Sequence, residues 1–488
     1  MRFKAVLLVF LIGALSTLAF YPAGYSLLLP ILLAIWLHIL FKQKSGKMAA
    51  GLGFSFGLGF FLAGVAWIFV SLHDYGGMPT PLAGLALLLF ASLLALYWLG
   101  SARVIWFFRD YPILQLMVVP SILGLMDWLR GTLFTGFPWL SLGYSQIPSG
   151  WFSGFDPIWG IYGVSWVVGL VAILLRLSFT SGWSKRSATG LVLLILLSLG
   201  INRISYTHPV GNSFSVRLIQ GNVSQSIKWL PGETKNTLEH YQKLIDESHE
   251  QLVILPETAF PVFANMLPKD YLLEIKSHLH QDGSDLLFGV PEEVGGRYYN
   301  SVMSLGTSTP QVYRKHHLVP FGEFIPMKFI FKPLMAWLNI PLDDFNRGTL
   351  NQSPIVAAGQ KIAVDICYED NFGNEIRHSL PQATVLANVT DDAWFGHEYA
   401  ADQHLQISEA RALETGRYML RATNTGMTAI INEHGRILSE LPPGVSGALV
   451  GKAQGYAGMT PYGRFGDGPM LIVSIILVIL SFFIKVRS

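Results

Sequence analysis

The chain has 488 residues, 51% of them hydrophobic and only 14% charged, with a mean hydropathy of +0.42. An ordinary soluble enzyme of this length is not that apolar, so at least part of the chain belongs in a membrane. A net charge of +2 without any long basic run gives no reason to expect nucleic acid as a partner.

From Met1 to about Ile201 the sequence is a train of apolar segments broken by Gly and Pro. Candidate spans run from Ala5 to Phe20, Ser26 to Phe41, Gly51 to Leu72, Leu82 to Trp106, Ile113 to Leu129, Ile161 to Phe179 and Ala188 to Ile201. A last one, Met470 to Ile484, makes about eight transmembrane helices, several of them shorter than the ~20 residues an untilted span needs. Arg2 and Lys4, then Lys42, Lys44 and Lys47, then Arg103 and Arg109, then Arg176, Lys185 and Arg186, and finally Lys485 and Arg487 make every other connection basic. By the positive-inside rule both termini face the cytoplasm, and the segment between the seventh and last spans lies across the membrane. No small-x-small site follows the first span, which therefore reads as an anchor and not as a cleaved signal peptide. The expected organisation is a helical bundle over 1–201, an outer domain over 202–469 and a closing helix over 470–488.

Around the connection of the fifth and sixth spans stand Asp127-Trp-Leu-Arg130 and Phe134-Thr-Gly-Phe-Pro-Trp-Leu-Ser-Leu-Gly-Tyr144, followed by Trp151, Phe155, Trp159 and Tyr162. These aromatics are either an interfacial belt or a floor on which a lipid leans against the outer domain, and Asp127 with Arg130 anchors the loop.

The outer domain reads as α/β. Strand-like runs occur at Ser215 to Ile219, Gln251 to Pro256, Asp285 to Val290, Ser301 to Leu305, Ile362 to Cys367, Ala383 to Val389 and Met427 to Ile431. Helical stretches such as Lys235 to Glu247 and Ala400 to Arg417 alternate with them. One excursion, Phe324 to Leu338, is apolar with two lysines; it is either core or an arm dipping into the bilayer surface.

Cys367 is the only cysteine, so a disulfide within the chain is excluded and the thiol is either inert filling or a nucleophile. Three strand-like runs end on reactive side chains: Leu252-Val-Ile-Leu-Pro-Glu257, Val312-Tyr-Arg-Lys315 and Val364-Asp-Ile-Cys367. Alone, Glu257 or Lys315 is better explained by an exposed salt bridge than by catalysis. Together the three supply what thiol-based acyl transfer needs: a base, a charge for the oxyanion and a nucleophile. None of the 13 histidines, His316 and His317 included, stands in metal-ligand spacing with the thiol, and neither metal nor cofactor is expected.

Pro256-Glu257, Arg314-Lys315 and Ile366-Cys367-Tyr368-Glu369 resemble the Glu-Lys-Cys signature of the nitrilase, or carbon-nitrogen hydrolase, superfamily. Such a domain between about seven helices and one more resembles the bacterial apolipoprotein N-acyltransferase family. Gln220-Gly-Asn222, Lys315-His-His-Leu-Val-Pro-Phe-Gly-Glu323 and Asn388-Val-Thr-Asp-Asp-Ala-Trp-Phe-Gly396 support the resemblance. It implies an α-β-β-α sandwich, with Glu257 as general base, Lys315 as oxyanion stabiliser and Cys367 as acylated nucleophile. Glu323 corresponds to a second carboxylate near the site, Tyr368 and Glu369 to the residues after the nucleophile, and Trp229 to an aromatic at the acyl pocket. Thr390-Asp391 departs from the Ser-Asn pair the resemblance leads one to expect, which puts the fine geometry of that loop in question.

The activity implied is transfer of a fatty acyl chain from a phospholipid, phosphatidylethanolamine for preference, through a Cys367 thioester to the amine of a diacylglyceryl-cysteine apolipoprotein at the bacterial inner membrane. The competing readings are a membrane-tethered amidase using the same three residues and a transporter or scaffold whose outer domain only binds. A small soluble amide needs neither the apolar arm nor the aromatic loop.

Overall fold

The computed structural model describes residues 2–180, 182–230, 232–329, 344–396 and 399–487. The chain divides into two compact units, Met1–Ser205 with Glu398–Gln406 and Thr460–Ser488, and Tyr206–His397 with Ile407–Met459.

The first unit is helical because its sequence is apolar over whole turns in every direction and has no exposed polar face to present to water. Six of its helices are long and apolar enough to cross a membrane: Gly46–Gly64, Thr80–Phe107, Pro112–Thr135, Ser153–Ser178, Ser184–Ile201 and Gly468–Arg487. Phe3–Ala19 and Leu28–Phe41 are apolar but shorter. Each of the eight expected spans falls on one of these helices. The third is cut short, since after Gly64 the chain turns into a short helix, Trp67–Val70, and a wider turn, Ser71–Tyr75. The glycines of Gly46–Gly64 make close packing possible: a Cβ on Gly59 would stand 2.1 Å from the carbonyl oxygen of Phe10, and one on Gly13 would stand 2.1 Å from that of Phe56. Two helix backbones thus touch where any side chain would separate them.

Asp127 and Arg130 do anchor the connection that follows them. They pair at 3.0 Å, with both side chains buried. Arg130 donates to the carbonyl of Trp139 at 2.6 Å, and Asp127 accepts the N–H of Leu142 at 2.6 Å. Trp139, Tyr144 and Phe155 are buried whereas Phe134 and Trp151 are exposed, so most of this stretch is packed interior and only part of it can serve as a belt.

The second unit contains two six-stranded sheets. The first has the order β12-β1-β2-β3-β4-β5, with β1 Thr207–Gln220, β2 Leu252–Ile254, β3 Asp285–Val294, β4 Arg297–Gly306, β5 Val312–Arg314 and β12 Gly447–Gly458. The second has the order β11-β10-β9-β8-β7-β6, with β6 Ile355–Ala357, β7 Gln360–Ile366, β8 Val385–Thr390, β9 Met419–Thr423, β10 Thr428–Ile431 and β11 Ile437–Leu441. β1, β2 and β3 run parallel, as do β7, β8 and β9, and the outer strands are antiparallel. The sheets face one another through β1 against β9 and β10 and β4 against β7.

Helices Glu233–Asp246 and Lys269–Asp282 cover the first sheet, where Leu238, Tyr241, Ile245, Ile275 and Leu279 meet Val253, Leu286 and Phe288. Helix Ala400–Thr415 carries Ser408, which bonds to Arg421 of β9 on the second sheet. This is the α-β-β-α sandwich expected from the sequence. Parallel strands buried on both faces deliver their C-terminal ends to one edge, where open α/β sheets place their sites. Of the expected arm, Phe324 to Phe329 is described and carries the ion pair of Lys328 with Asp344; its remainder lies outside the described residues.

Candidate active site

Glu257, Lys315 and Cys367 each follow the C-terminal end of a strand: β2, β5 and β7 respectively. Glu257 leaves β2 through Pro256, which cannot extend the ladder, and the next residue, Thr258, adopts φ 50°. This turn crosses β3 at Gly289, where a Cβ would come within 2.4 Å of the Pro256 carbonyl oxygen and 2.7 Å of Glu257 Cα. Cys367 is itself left-handed, at φ 54°. For a non-glycine residue that costs ~1–3 kcal/mol, and it persists only where the surroundings fix it. Here Glu369 accepts the Ile366 N–H at 2.8 Å, and Asn388 donates to the Cys367 carbonyl at 3.2 Å.

The three side chains belong to one buried cluster. Lys315 Nζ donates to Glu323 at 3.0 Å and to Glu257 Oε1 at 3.4 Å. Asn300, on β4, donates through one Nδ2 to both carboxylates, at 2.7 Å to Glu257 and 2.9 Å to Glu323. The second oxygen of Glu257 accepts the backbone N–H of Asp391 at 3.1 Å, and that of Glu323 accepts the N–H of Val319 at 2.8 Å. The thiol has Glu257, Lys315 and Asp392 as its charged neighbours and a hydrogen bond with Thr390.

Burial sets the ionisation of the cluster. It pushes the Glu257 carboxyl above the ordinary carboxylate range, with Lys315 opposing and Glu323 adding to the rise. Burial works against the Lys315 ammonium, but Glu257 and Glu323 outweigh it and hold the pKa above that of a free lysine. Cys367 is pushed well above its ordinary value by burial and then by Glu257, against the pull of Lys315. A thiol pushed toward its neutral form beside a carboxyl group of raised basicity suits proton transfer during attack and not a standing thiolate.

Glu369 adjoins this cluster through the charge of Lys315. It accepts the N–H groups of His316 at 2.7 Å and His317 at 2.9 Å and the hydroxyl of Tyr313 at 3.0 Å, besides the backbone N–H of Ile366. Burial raises its pKa to about 7 against those backbone donors and Lys315. It is a brace tying the exit of the Lys315 strand to the turn of Cys367. Tyr368 packs edge-on to Phe372 and to His317. Trp229 follows the short helix Gln225–Lys228, is 56% exposed and donates its indole N–H to Gln225 at 3.3 Å.

Among the described residues no group of three or more His, Cys, Asp or Glu could hold a metal ion.

Two family models match the chain: "Apolipoprotein N-acyltransferase N-terminal domain" over residues 12–174 and "Carbon-nitrogen hydrolase" over residues 215–462. A protein of Nitrosomonas europaea named apolipoprotein N-acyltransferase is 45% identical over 94% of this chain and 93% of its own length. The chain belongs to the apolipoprotein N-acyltransferase family. A namesake from Methylococcus capsulatus is 41% identical over 96% of this chain and 94% of its own. Membership makes the chain a membrane protein and an enzyme whose second unit is of the carbon-nitrogen hydrolase type.

Against this apolipoprotein N-acyltransferase framework, three site features had no place in the sequence reading: Asn300, Tyr313 and the pair of Lys228 with Asp391. Asn300 stands in a strand that also holds Arg297, Ser301 and Ser304, so nothing local sets it apart. Nothing local marks Lys228, because its partner is 163 positions away.

Proposed function

We propose that the chain is a ping-pong N-acyltransferase that carries a fatty acyl group from a phospholipid to the N-terminal amine of a diacylglyceryl-cysteine apolipoprotein. The observation that supports it best is the buried group of Glu257, Lys315, Glu323 and Asn300 beside the single thiol.

In the first half-reaction Glu257 takes the thiol proton as Cys367 Sγ bonds to the ester carbonyl carbon, and the oxygen of that carbonyl becomes an oxyanion beside the Lys315 ammonium. Collapse breaks the ester C–O bond, and Glu257 returns its proton to the departing lysophospholipid oxygen. In the second, the acceptor amine attacks the thioester, Glu257 takes the amine proton, the C–S bond breaks and the sulfur recovers the proton. Water is the competing nucleophile in that step, so a transferase must keep it out. Phosphatidylethanolamine, through its sn-1 chain, is the donor we favour. Glu323 and Asn300 hold Glu257 and Lys315 in place, Glu369 and Tyr368 support the nucleophile turn, and Trp229 offers an exposed aromatic face to the acyl chain.

We place the protein in the bacterial inner membrane, multi-pass, with both termini cytoplasmic and the segment 202–469 periplasmic between the bundle 1–201 and the helix 470–488. The alternation of basic connections supports that orientation.

The test is to incubate the purified full chain with phospholipid labelled in its acyl chain and to look for a thioester by intact mass, then to add a diacylated lipopeptide and follow label into its amine. Cys367→Ala must abolish both. Label retained on the alanine variant, or ammonia release from simple amides with no transfer to lipopeptide, would sink the proposal.

A further inference from the structure

Asp391 introduces a carboxylate directly beside the base. Its backbone N–H is the group that holds the second oxygen of Glu257, at 3.1 Å, so the negative side chain cannot be distant from the carboxylate it positions. The family resemblance leads one to expect a neutral asparagine at this place. A buried like charge needs a countercharge, and Lys228 supplies it: Nζ lies 2.7 Å from Asp391 Oδ2, with the two side chains 2% and 3% exposed. Gln225 donates to the same oxygen at 2.7 Å, and Asn424 reaches both oxygens at 3.1 Å. Lys228 and Gln225 both belong to the short helix that precedes Trp229.

We propose that Lys228 is a positioning residue for Glu257: its ammonium balances the Asp391 carboxylate, which allows residue 391 to hold the base without adding an unopposed negative charge beside it. This rests on Glu257 acting as the base in the reaction above.

The charged and titratable groups facing Glu257 are Lys315 from the end of β5, Glu323 from the loop beyond it, Asp391 from the end of β8 and Cys367 from the end of β7. Among the described residues those facing Asp391 include Lys228, Glu257 and the Tyr241 hydroxyl of helix Glu233–Asp246. Asp391 pushes Glu257 upward, and the Lys228 ammonium, 2.7 Å from that carboxylate, carries the opposite sign. Removing the two charges singly must therefore move the ionisation of Glu257 in opposite directions, and removing both must nearly cancel. A lysine that merely stapled the loop would predict no such antisymmetry.

The experiment uses the full chain in detergent micelles, with K228M, D391N, the double variant and K228R. Two readouts are followed against pH: acyl transfer from phospholipid, and alkylation of the single thiol by iodoacetamide, which draws on the same base without any lipid substrate. We expect the acid limb of both profiles to move up in K228M and down in D391N, each on the order of one pH unit. The double variant and K228R should return it to the position of the unchanged protein. Should K228M fail to fold, the downward shift in D391N and its reversal in the double variant decide the matter. Shifts in the same direction, no shift, or a double variant displaced as far as a single one would overturn the assignment. If the unchanged protein alkylates normally but transfers no acyl group, the proposed reaction fails, while the alkylation limbs still judge Lys228.

Discussion

The ammonium of Lys315 lies 3.0 Å from the carboxylate of Glu323. That is closer than its 3.4 Å approach to Glu257, so the lysine charge is shared, and the base keeps more of its own affinity for a proton than an exclusive ion pair would leave it. Replacing Glu323 by Gln should turn the whole lysine charge on Glu257. Because Glu323 raises the Glu257 pKa, its loss lowers it: the acid limb of acyl transfer should move to lower pH, and the maximal rate should fall by about 10–100-fold as the base weakens. A limb that moves upward would show that Glu323 acts otherwise.

The pH profile of the unchanged protein is a second check. In the proposed reaction Glu257 is active as the carboxylate, so activity should disappear as pH falls through its pKa. Burial raises that pKa above the ordinary ~4.3, and the acid limb should therefore lie above the usual glutamate range. Glu257→Gln should remove the limb and cost about 10²–10⁴ in rate, read as kcat/KM for lipopeptide acylation.

Gly289 offers a test remote from any reacting atom. A methyl group there would press on Pro256 O, Thr258 N and Glu257 Cα at 2.4, 2.5 and 2.7 Å, all of them main-chain atoms that cannot rotate aside. Gly289→Ala should destabilise the unit by ~1–3 kcal/mol. It should also lower kcat/KM by at least about tenfold, because the displaced residue is the proposed base. Unchanged kinetics with unchanged thermal midpoint would mean that the turn has room to move.

Glu369 should behave as a brace. Glu369→Gln puts an amide NH2 against backbone and hydroxyl donors that now point at carboxylate oxygens, leaving at least one of them unsatisfied at a cost of ~1–3 kcal/mol. The expected result is a lower thermal midpoint and slower thioester formation, with the acid limb set by Glu257 still present. Loss of that limb would instead make Glu369 a participant in proton transfer.

The reactive strand ends could be read from sequence because each short strand-like run ends on a chemically reactive side chain, and that pattern survives without any knowledge of pairing. Glu257, Lys315 and Cys367 were legible in this way, as were the eight apolar helices. β12 was not: Gly447–Gly458 contains four glycines among twelve residues and no alternation, and it becomes a strand only by pairing with β1 along its length. β9 was hidden for a different reason. All five of its residues are buried, Arg421 included, so period-two patterning has no exposed half to reveal it. Arg421 is held there by Asp392 at 2.8 Å and Asn388 at 2.8 Å, partners from β8 and its exit that no local reading could supply. The same holds for Asn300 and Lys228. Long-range polar pairs fix the site's detail, and sequence distance conceals them.

A chain with a single sulfhydryl carries its own address label. Whatever reagent joins to that sulfur, whether a spin probe, a fluorophore or a fatty acyl group left over from turnover, reports from position 367 and from nowhere else. Occupancy of the proposed thioester can thus be counted on whole protein by weighing it, with no digestion and no engineered background.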